Sequence, residues 1–96
     1  MEPTKEQIEI INSKIAELTD LAIQANYVVS ARVTLGGEKI SYTFYKREID
    51  TLLKCLQSIA YLQSFIRCPL PPRHTAEGIE IAIRYITEIK EELKNR

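Results

Sequence analysis

The chain has 96 residues, enough for one small domain, and its 13 basic and 13 acidic side chains give a net charge of zero. A neutral domain is not expected to be drawn to nucleic acid or to acidic membranes by general electrostatics. Two cysteines and one histidine exclude a disulfide framework and a histidine-based metal cluster within one chain. The few cysteines favour a reducing, intracellular setting, and no apolar run reaches the length of a membrane span, so we predict a cytoplasmic protein. We predict no cofactor.

The first predicted element is a helix over residues 4–26. Thr4 and Gln7 have the spacing of a capping box, which marks a helix start. Apolar residues then recur at alternating spacings of three and four, at Ile8, Ile11, Ile15, Leu18, Ala22 and Ala25. This spacing indicates an amphipathic helix.

The next segment, residues 27–45, has the pattern of a two-stranded β-hairpin. Gly36 and Gly37 suit a two-residue turn with positive φ. Closing the strands there pairs apolar residues on one face: Val33 with Ile40, Ala31 with Tyr42, and Val29 with Phe44. A lone hairpin is marginal in water, so we expect its apolar face to pack on helices or on another subunit.

Two more helices are predicted, over residues 46–67 and 75–95. The apolar seam of the first is Ile49, Leu52, Leu56, Ile59 and Ile66, and that of the second is Ile79, Ala82, Ile86, Ile89 and Leu93. No charge occurs from Cys55 to Ile66, which predicts a central helix. The predicted fold class is therefore α+β, mostly α, with a helix, a β-hairpin and an antiparallel helical pair. These apolar faces exceed what one small core needs, so we predict a homo-oligomer based on a dimer.

The turn between the last two helices, residues 68–74, is the candidate site. It holds three of the four prolines and the only histidine, and no Asp or Glu occurs from Thr51 to Ala76. Arg67, Arg73, His74 and the amides near Thr75, the predicted N-cap, would hold a phosphate at the positive end of the helix dipole. In the alternative interpretation, Arg67 caps the preceding helix and Arg73 is solvated.

A second candidate surface lies on the predicted hairpin. Arg32 would project from its polar face beside Ser30, Ser41 and Thr43, and Tyr45 would stack on a base. A solvated sheet face and a core aromatic residue are the alternatives. No paired carboxylates, glycine-rich phosphate loop or Ser-His-Asp set is visible, so we do not expect an enzyme.

Residues 65–86 read FIRCPLPPRHTAEGIEIAIRYI. This segment resembles the helical-hairpin domain shared by phage anti-CBASS and Thoeris anti-defence sponge proteins, with the best match at Pro71, Pro72 and Arg73. The predicted β-hairpin is closer in character to the Thoeris-type members. The resemblance implies a small, oligomeric, non-catalytic protein that sequesters a cyclic nucleotide or cyclic ADP-ribose-type immune signal in the host cytoplasm.

The sequence thus predicts a nucleotide sponge with its site at the proline turn. An oligomeric module that binds a protein partner is the first alternative. A small DNA-binding regulator is the second, although the zero net charge and the lack of a basic recognition helix stand against it.

Overall fold

The computed structural model describes residues 2–36 and 42–94, with side chains over residues 2–26 and 49–94. It contains three helices: α1 (Lys5–Gly36), α2 (Tyr42–Arg67) and α3 (Pro72–Lys94). Gln7 of α1 bonds to Pro72 of α3, near the start of both helices, so these two helices run parallel. Thr51 of α2 bonds to Glu92 of α3, near the start of one helix and the end of the other, so this pair is antiparallel. The fold is an up-down-up three-helix bundle.

The predicted β-hairpin at residues 27–45 is wrong, and so is the α+β fold class. Residues 27–36 continue α1, residues 42–45 begin α2, and the described residues contain no strand. The turn position Gly37 and the strand residues 38–41 lie outside the described residues. The alternation suited a hairpin, but Val29 also continues the helical spacing, four residues after Ala25. Strand preference depends on context, and a continued helix satisfies its own backbone hydrogen bonds without a sheet partner.

The start of α1 agrees with the sequence. The Thr4 amide donates to Gln7 Oε1 at 3.0 Å, and the Gln7 amide donates to Thr4 Oγ1 at 3.1 Å, so the capping box is confirmed. Gln7 Nε2 also donates to the Pro72 carbonyl at 2.9 Å. One side chain therefore caps α1 and ties it to the first residue of α3.

The core lies between all three helices. The α3 seam is confirmed, since Ile79, Ala82, Ile86 and Ile89 are buried and Leu93 packs against them. The α1 seam is confirmed at its four buried members, Ile11, Leu18, Ala22 and Ala25. Ile15 packs against this core, whereas Ile8 is more than a third exposed.

In α2 the buried seam lies beside the predicted one. It consists of Thr51, Cys55, Ser58, Leu62 and Phe65, again spaced by four and three. The predicted seam borders it: Leu52 and Ile59 are partly buried, whereas Leu56 is 49% and Ile66 42% exposed. Three of these five buried residues are small or polar. The spacing of the large apolar residues therefore predicted the neighbouring stripe of α2 as the core face.

The bundle is elongated, with extents of 54 × 18 × 17 Å. Glu92, near the end of α3, bonds to Thr51. Since α2 begins at Tyr42, α1 and α2 extend past the end of α3. The proline turn lies at the opposite end of the molecule. The long axis therefore separates the proline turn, at one end, from the helix segments that contain Arg32 and Tyr45, at the other end.

Candidate functional site

The bend between α2 and α3 is formed by residues 68–71, and α3 begins at Pro72. Proline suits the first helical position because its fixed φ matches the helix and its missing N–H costs nothing there. The predicted N-cap at Thr75 is therefore wrong by about one turn. Thr75 is buried, and its hydroxyl lies within donating distance of the Leu70 carbonyl (3.3 Å) and the Pro71 carbonyl (3.2 Å).

The start of α3 offers few amides to an anion. Pro72 has no N–H, and the amides of His74 and Thr75 both donate to the Pro71 carbonyl, at 3.0 and 3.1 Å. Among the first four residues of α3, at most the Arg73 amide remains for an outside ligand. An anion bound here would therefore depend mainly on side chains.

Side chains that could bind such an anion are available at the bend. Arg67, Arg73 and His74 are exposed, while Pro71 and Pro72 are half-buried. None of the ion pairs in residues 2–26 and 49–94 includes Arg67 or Arg73. The bundle thus presents two guanidinium groups at one end, and neither is neutralised by a carboxylate of the described part.

The other two predicted site residues lie elsewhere. Tyr45 precedes Arg67 by 22 residues along α2, which corresponds to about 33 Å of helix. Arg32 lies four residues before the end of α1, at the same far end of the bundle. Their side chains lie outside the described residues. Within one chain, Arg32 and Tyr45 therefore do not form one site with the proline turn.

A groove between α2 and α3 was not predicted from the sequence. Its volume is about 370 Å³, and it is lined by Lys54, Gln57, Ser58, Tyr61, Ile81 and Tyr85. A smaller cavity of about 310 Å³ adjoins it and shares Ile81 and Tyr85 with Arg84 and Glu88. The sequence feature that could have predicted the α2 wall of this groove is the spacing of Lys54, Ser58 and Tyr61. Their separations of four and three residues place them on one side of α2.

Lys54, which lines the groove, belongs to a polar cluster. The Glu92 carboxylate accepts hydrogen bonds from the Thr51 hydroxyl, at 2.9 Å, and from the Lys54 ammonium. The hydrogen bond to Glu92 raises the pKa of Lys54, because it favours the charged ammonium. Lys54 therefore remains a cation beside the groove.

The two cysteines differ in their surroundings. Burial raises the pKa of the Cys55 thiol, which holds it in the unreactive neutral form. Cys68 is exposed in the bend. The part of the chain that the structure describes contains no group of three His, Cys, Asp or Glu side chains arranged to hold a metal ion. Within the same residues, no helix combines the length and apolar character needed to span a membrane.

Comparisons with models of known protein families, with curated proteins and with solved structures give no match to this chain. The bend and the groove are therefore the features of this chain that bear on its function.

Proposed function

We propose that this protein is a non-catalytic binding protein that sequesters a cyclic nucleotide or a cyclic ADP-ribose-type signal. The observation that supports it is the exposed pair Arg67 and Arg73, which forms no ion pair within the described residues. The surrounding stretch has no acid from Thr51 to Ala76. Guanidinium groups bind phosphate oxygens in a bidentate manner, and the exposed His74 is a third polar side chain of the same bend.

Sequestration suits this site because it requires tight binding and no chemical step. The resemblance of residues 65–86 to the sponge domains supplies the proposed ligand class, a cyclic molecule with several phosphates. Such a protein would act in the cytoplasm of the host cell. The wrongly predicted hairpin removes the likeness to the Thoeris-type members, so the proposal depends on the bend alone.

The proposal includes self-association along α2. Leu52, Leu56, Ile59 and Ile66 form a half-exposed apolar stripe, within a helix that has no charge from Cys55 to Ile66. A second copy of the same stripe would cover it without burying a charge, which favours a homodimer over a charged partner. Parallel pairing would bring both bends to one end and double the number of guanidinium groups there.

Ligand binding tests the site directly. We expect cyclic dinucleotides, cyclic trinucleotides or cyclic ADP-ribose isomers to raise the melting temperature, with affinity measured by calorimetry. Replacing Arg67 and Arg73 by glutamine should weaken binding about tenfold or more for each arginine, since a hydrogen bond to a charged group contributes about 1.5–3 kcal/mol.

Lys94→Gln is the control, because Lys94 is an exposed cation at the opposite end of α3 from the bend and lines neither cavity. It should leave binding at the bend unchanged. The proposal is wrong if none of these nucleotides changes the melting temperature, or if the double variant binds as tightly as the parent protein.

Native mass spectrometry tests the self-association. Leu56→Glu should convert the dimer to a monomer, since it places a charge in the centre of the stripe, whereas Thr87→Glu on the exposed side of α3 should not. A parent protein that is monomeric at tens of micromolar would contradict this part of the proposal. The stripe would then favour the alternative function, an interaction module for a different protein.

A further inference from the structure

The groove between α2 and α3 is a surface separate from the bend. Six residues, about 9 Å of helix, separate Tyr61 from Arg67. Twelve residues, about 18 Å, separate Arg73 from Tyr85. The volume of about 370 Å³ falls within the range of small-molecule sites. The groove is therefore large enough to be considered as a site of its own.

Two tyrosines on opposite helices form its walls. Tyr61 of α2 is 36% exposed and Tyr85 of α3 is 46% exposed, so both rings keep a free surface. The Tyr61 ring packs edge-on against Phe65, with centroids 5.2 Å apart and an interplanar angle of 88°. Phe65 is in turn buried against Gly78. Tyr61 is thus held in place before any ligand arrives, as suits a flat ring that stacks.

The groove also contains a buried polar atom that needs a partner. Ser58 is only 6% exposed and lines the cavity. Within residues 2–26 and 49–94, none of the hydrogen bonds involves its hydroxyl. Buried hydroxyls are nearly always hydrogen-bonded, so an unsatisfied one in a cavity points to a ligand group that completes it.

The remaining polar groups define what the ligand must present. The exposed Gln57 amide offers both a donor and an acceptor, and Lys54 adds a cation that Glu92 already holds in place. Ile81 adds apolar surface. A flat ring with donors and acceptors along its edge matches this combination of stacking walls and polar rim.

We infer that the groove binds a planar heteroaromatic ring with a polar edge, the chemical class of a nucleobase. The ring would lie between Tyr61 and Tyr85, with its edge at the Ser58 hydroxyl and the Gln57 amide. This inference goes beyond phosphate capture at the bend, because a nucleoside without any phosphate should bind here.

The test uses adenosine, guanosine and cytidine as probes. Because the chain has five tyrosines and no tryptophan, tyrosine fluorescence and the NMR signals of Tyr61 and Tyr85 report binding directly. Tyr61→Leu and Tyr85→Leu should each weaken the best-bound nucleoside at least tenfold while the far-ultraviolet circular dichroism stays helical. The Arg67→Gln, Arg73→Gln double variant should bind that nucleoside like the parent protein.

Ser58→Ala distinguishes a serine that binds the ligand from one that only stabilises the fold. Removing an unsatisfied buried hydroxyl should raise the melting temperature of the free protein, yet it should weaken nucleoside binding several-fold. The two effects have opposite signs. A lower melting temperature together with unchanged binding would overturn the assignment of Ser58.

The inference as a whole is overturned if millimolar nucleosides leave the Tyr61 and Tyr85 signals unmoved. It is also overturned if nucleosides bind but Tyr61→Leu and Tyr85→Leu bind them as tightly as the parent protein. A different result would support the groove and contradict the proposed phosphate site. In that case nucleosides bind in the groove, and the Arg67→Gln, Arg73→Gln double variant binds cyclic nucleotides as tightly as the parent protein.

Discussion

At the scale of single residues, the contact between Gly78 and Phe65 sets the approach of α3 to α2. A β-carbon built on Gly78 would lie 2.2 Å from Cζ of Phe65 and within 3 Å of two more atoms of that ring. Real β-carbons do not approach other atoms so closely. The absence of a side chain at position 78 therefore allows the buried Phe65 ring to lie directly against the α3 backbone.

Gly78→Ala should destabilise the protein even though alanine is the better helix former. The gain in helix propensity is about 1 kcal/mol, whereas overpacking a core typically costs about 1–3 kcal/mol. We expect a net loss of about 1 kcal/mol in the free energy of unfolding, measured with urea.

The partner substitution checks the cause of that loss. In a Phe65→Leu background, the smaller side chain should relieve the clash, so adding Gly78→Ala should cost less than it does in the parent. An equal cost in both backgrounds would mean that the ring is not responsible.

At the scale of elements, the starts of α1 and α3 are joined through one side chain. Gln7 Oε1 accepts from the Thr4 amide in the capping box, while Gln7 Nε2 donates to the Pro72 carbonyl. The oxygen of the Gln7 amide thus caps α1, while its nitrogen bonds to α3. A glutamate at position 7 could accept the first hydrogen bond but could not donate the second.

Substitutions at positions 4 and 7 separate these two roles. Thr4→Ala removes the hydroxyl acceptor of the box and should cost about 0.5–2 kcal/mol of stability. Gln7→Glu keeps an acceptor for the Thr4 amide but loses the donor to Pro72, and should cost about 1 kcal/mol. Denaturant unfolding measures both losses, and hydrogen exchange should show faster opening of the α3 start only in Gln7→Glu. Equal exchange in the two variants would contradict the link.

At the scale of the whole molecule, Glu17 connects the first helix to the last. Its carboxylate pairs with Lys14 on α1, at 3.4 Å, and with Lys90 on α3. The hydrogen bond from Lys90 lowers the pKa of Glu17, because it favours the ionised carboxylate. The carboxyl group of Glu17 therefore binds its proton less tightly in the folded protein than in the unfolded chain.

The pH dependence of stability follows from that difference. The pair stabilises the fold above the unfolded pKa of glutamate, about 4.3, and this contribution is lost as the pH falls through the lower folded pKa. Because the groups are partly exposed, we expect at most about 1 kcal/mol. Glu17→Gln should reduce the loss of stability between pH 5 and pH 3, whereas Glu9→Gln, exposed on the same helix, should not. An unchanged slope in Glu17→Gln would contradict the assignment.

Local signals in the sequence were sufficient for several parts of this fold. The capping box at Thr4 and Gln7 involves neighbours three residues apart, so no tertiary contact is needed to predict it. The prolines after Cys68 end α2, since they cannot continue a helix, and the spacing from Ile79 to Ile89 marks one face of α3. The exposed arginines of the bend follow from their positions at helix ends.

Other features depended on which surfaces meet in space. Residues 27–36 have a pattern that fits a strand or a helix, and only their continuity with α1 decided between the two. The core stripe of α2 includes Thr51 and Ser58, whose polarity gives no sign that they are buried, and the groove exists only because α3 lies beside this stripe. Periodicity along a chain reports how residues divide between the faces of an element, but the face that becomes core is chosen by the neighbour that packs against it.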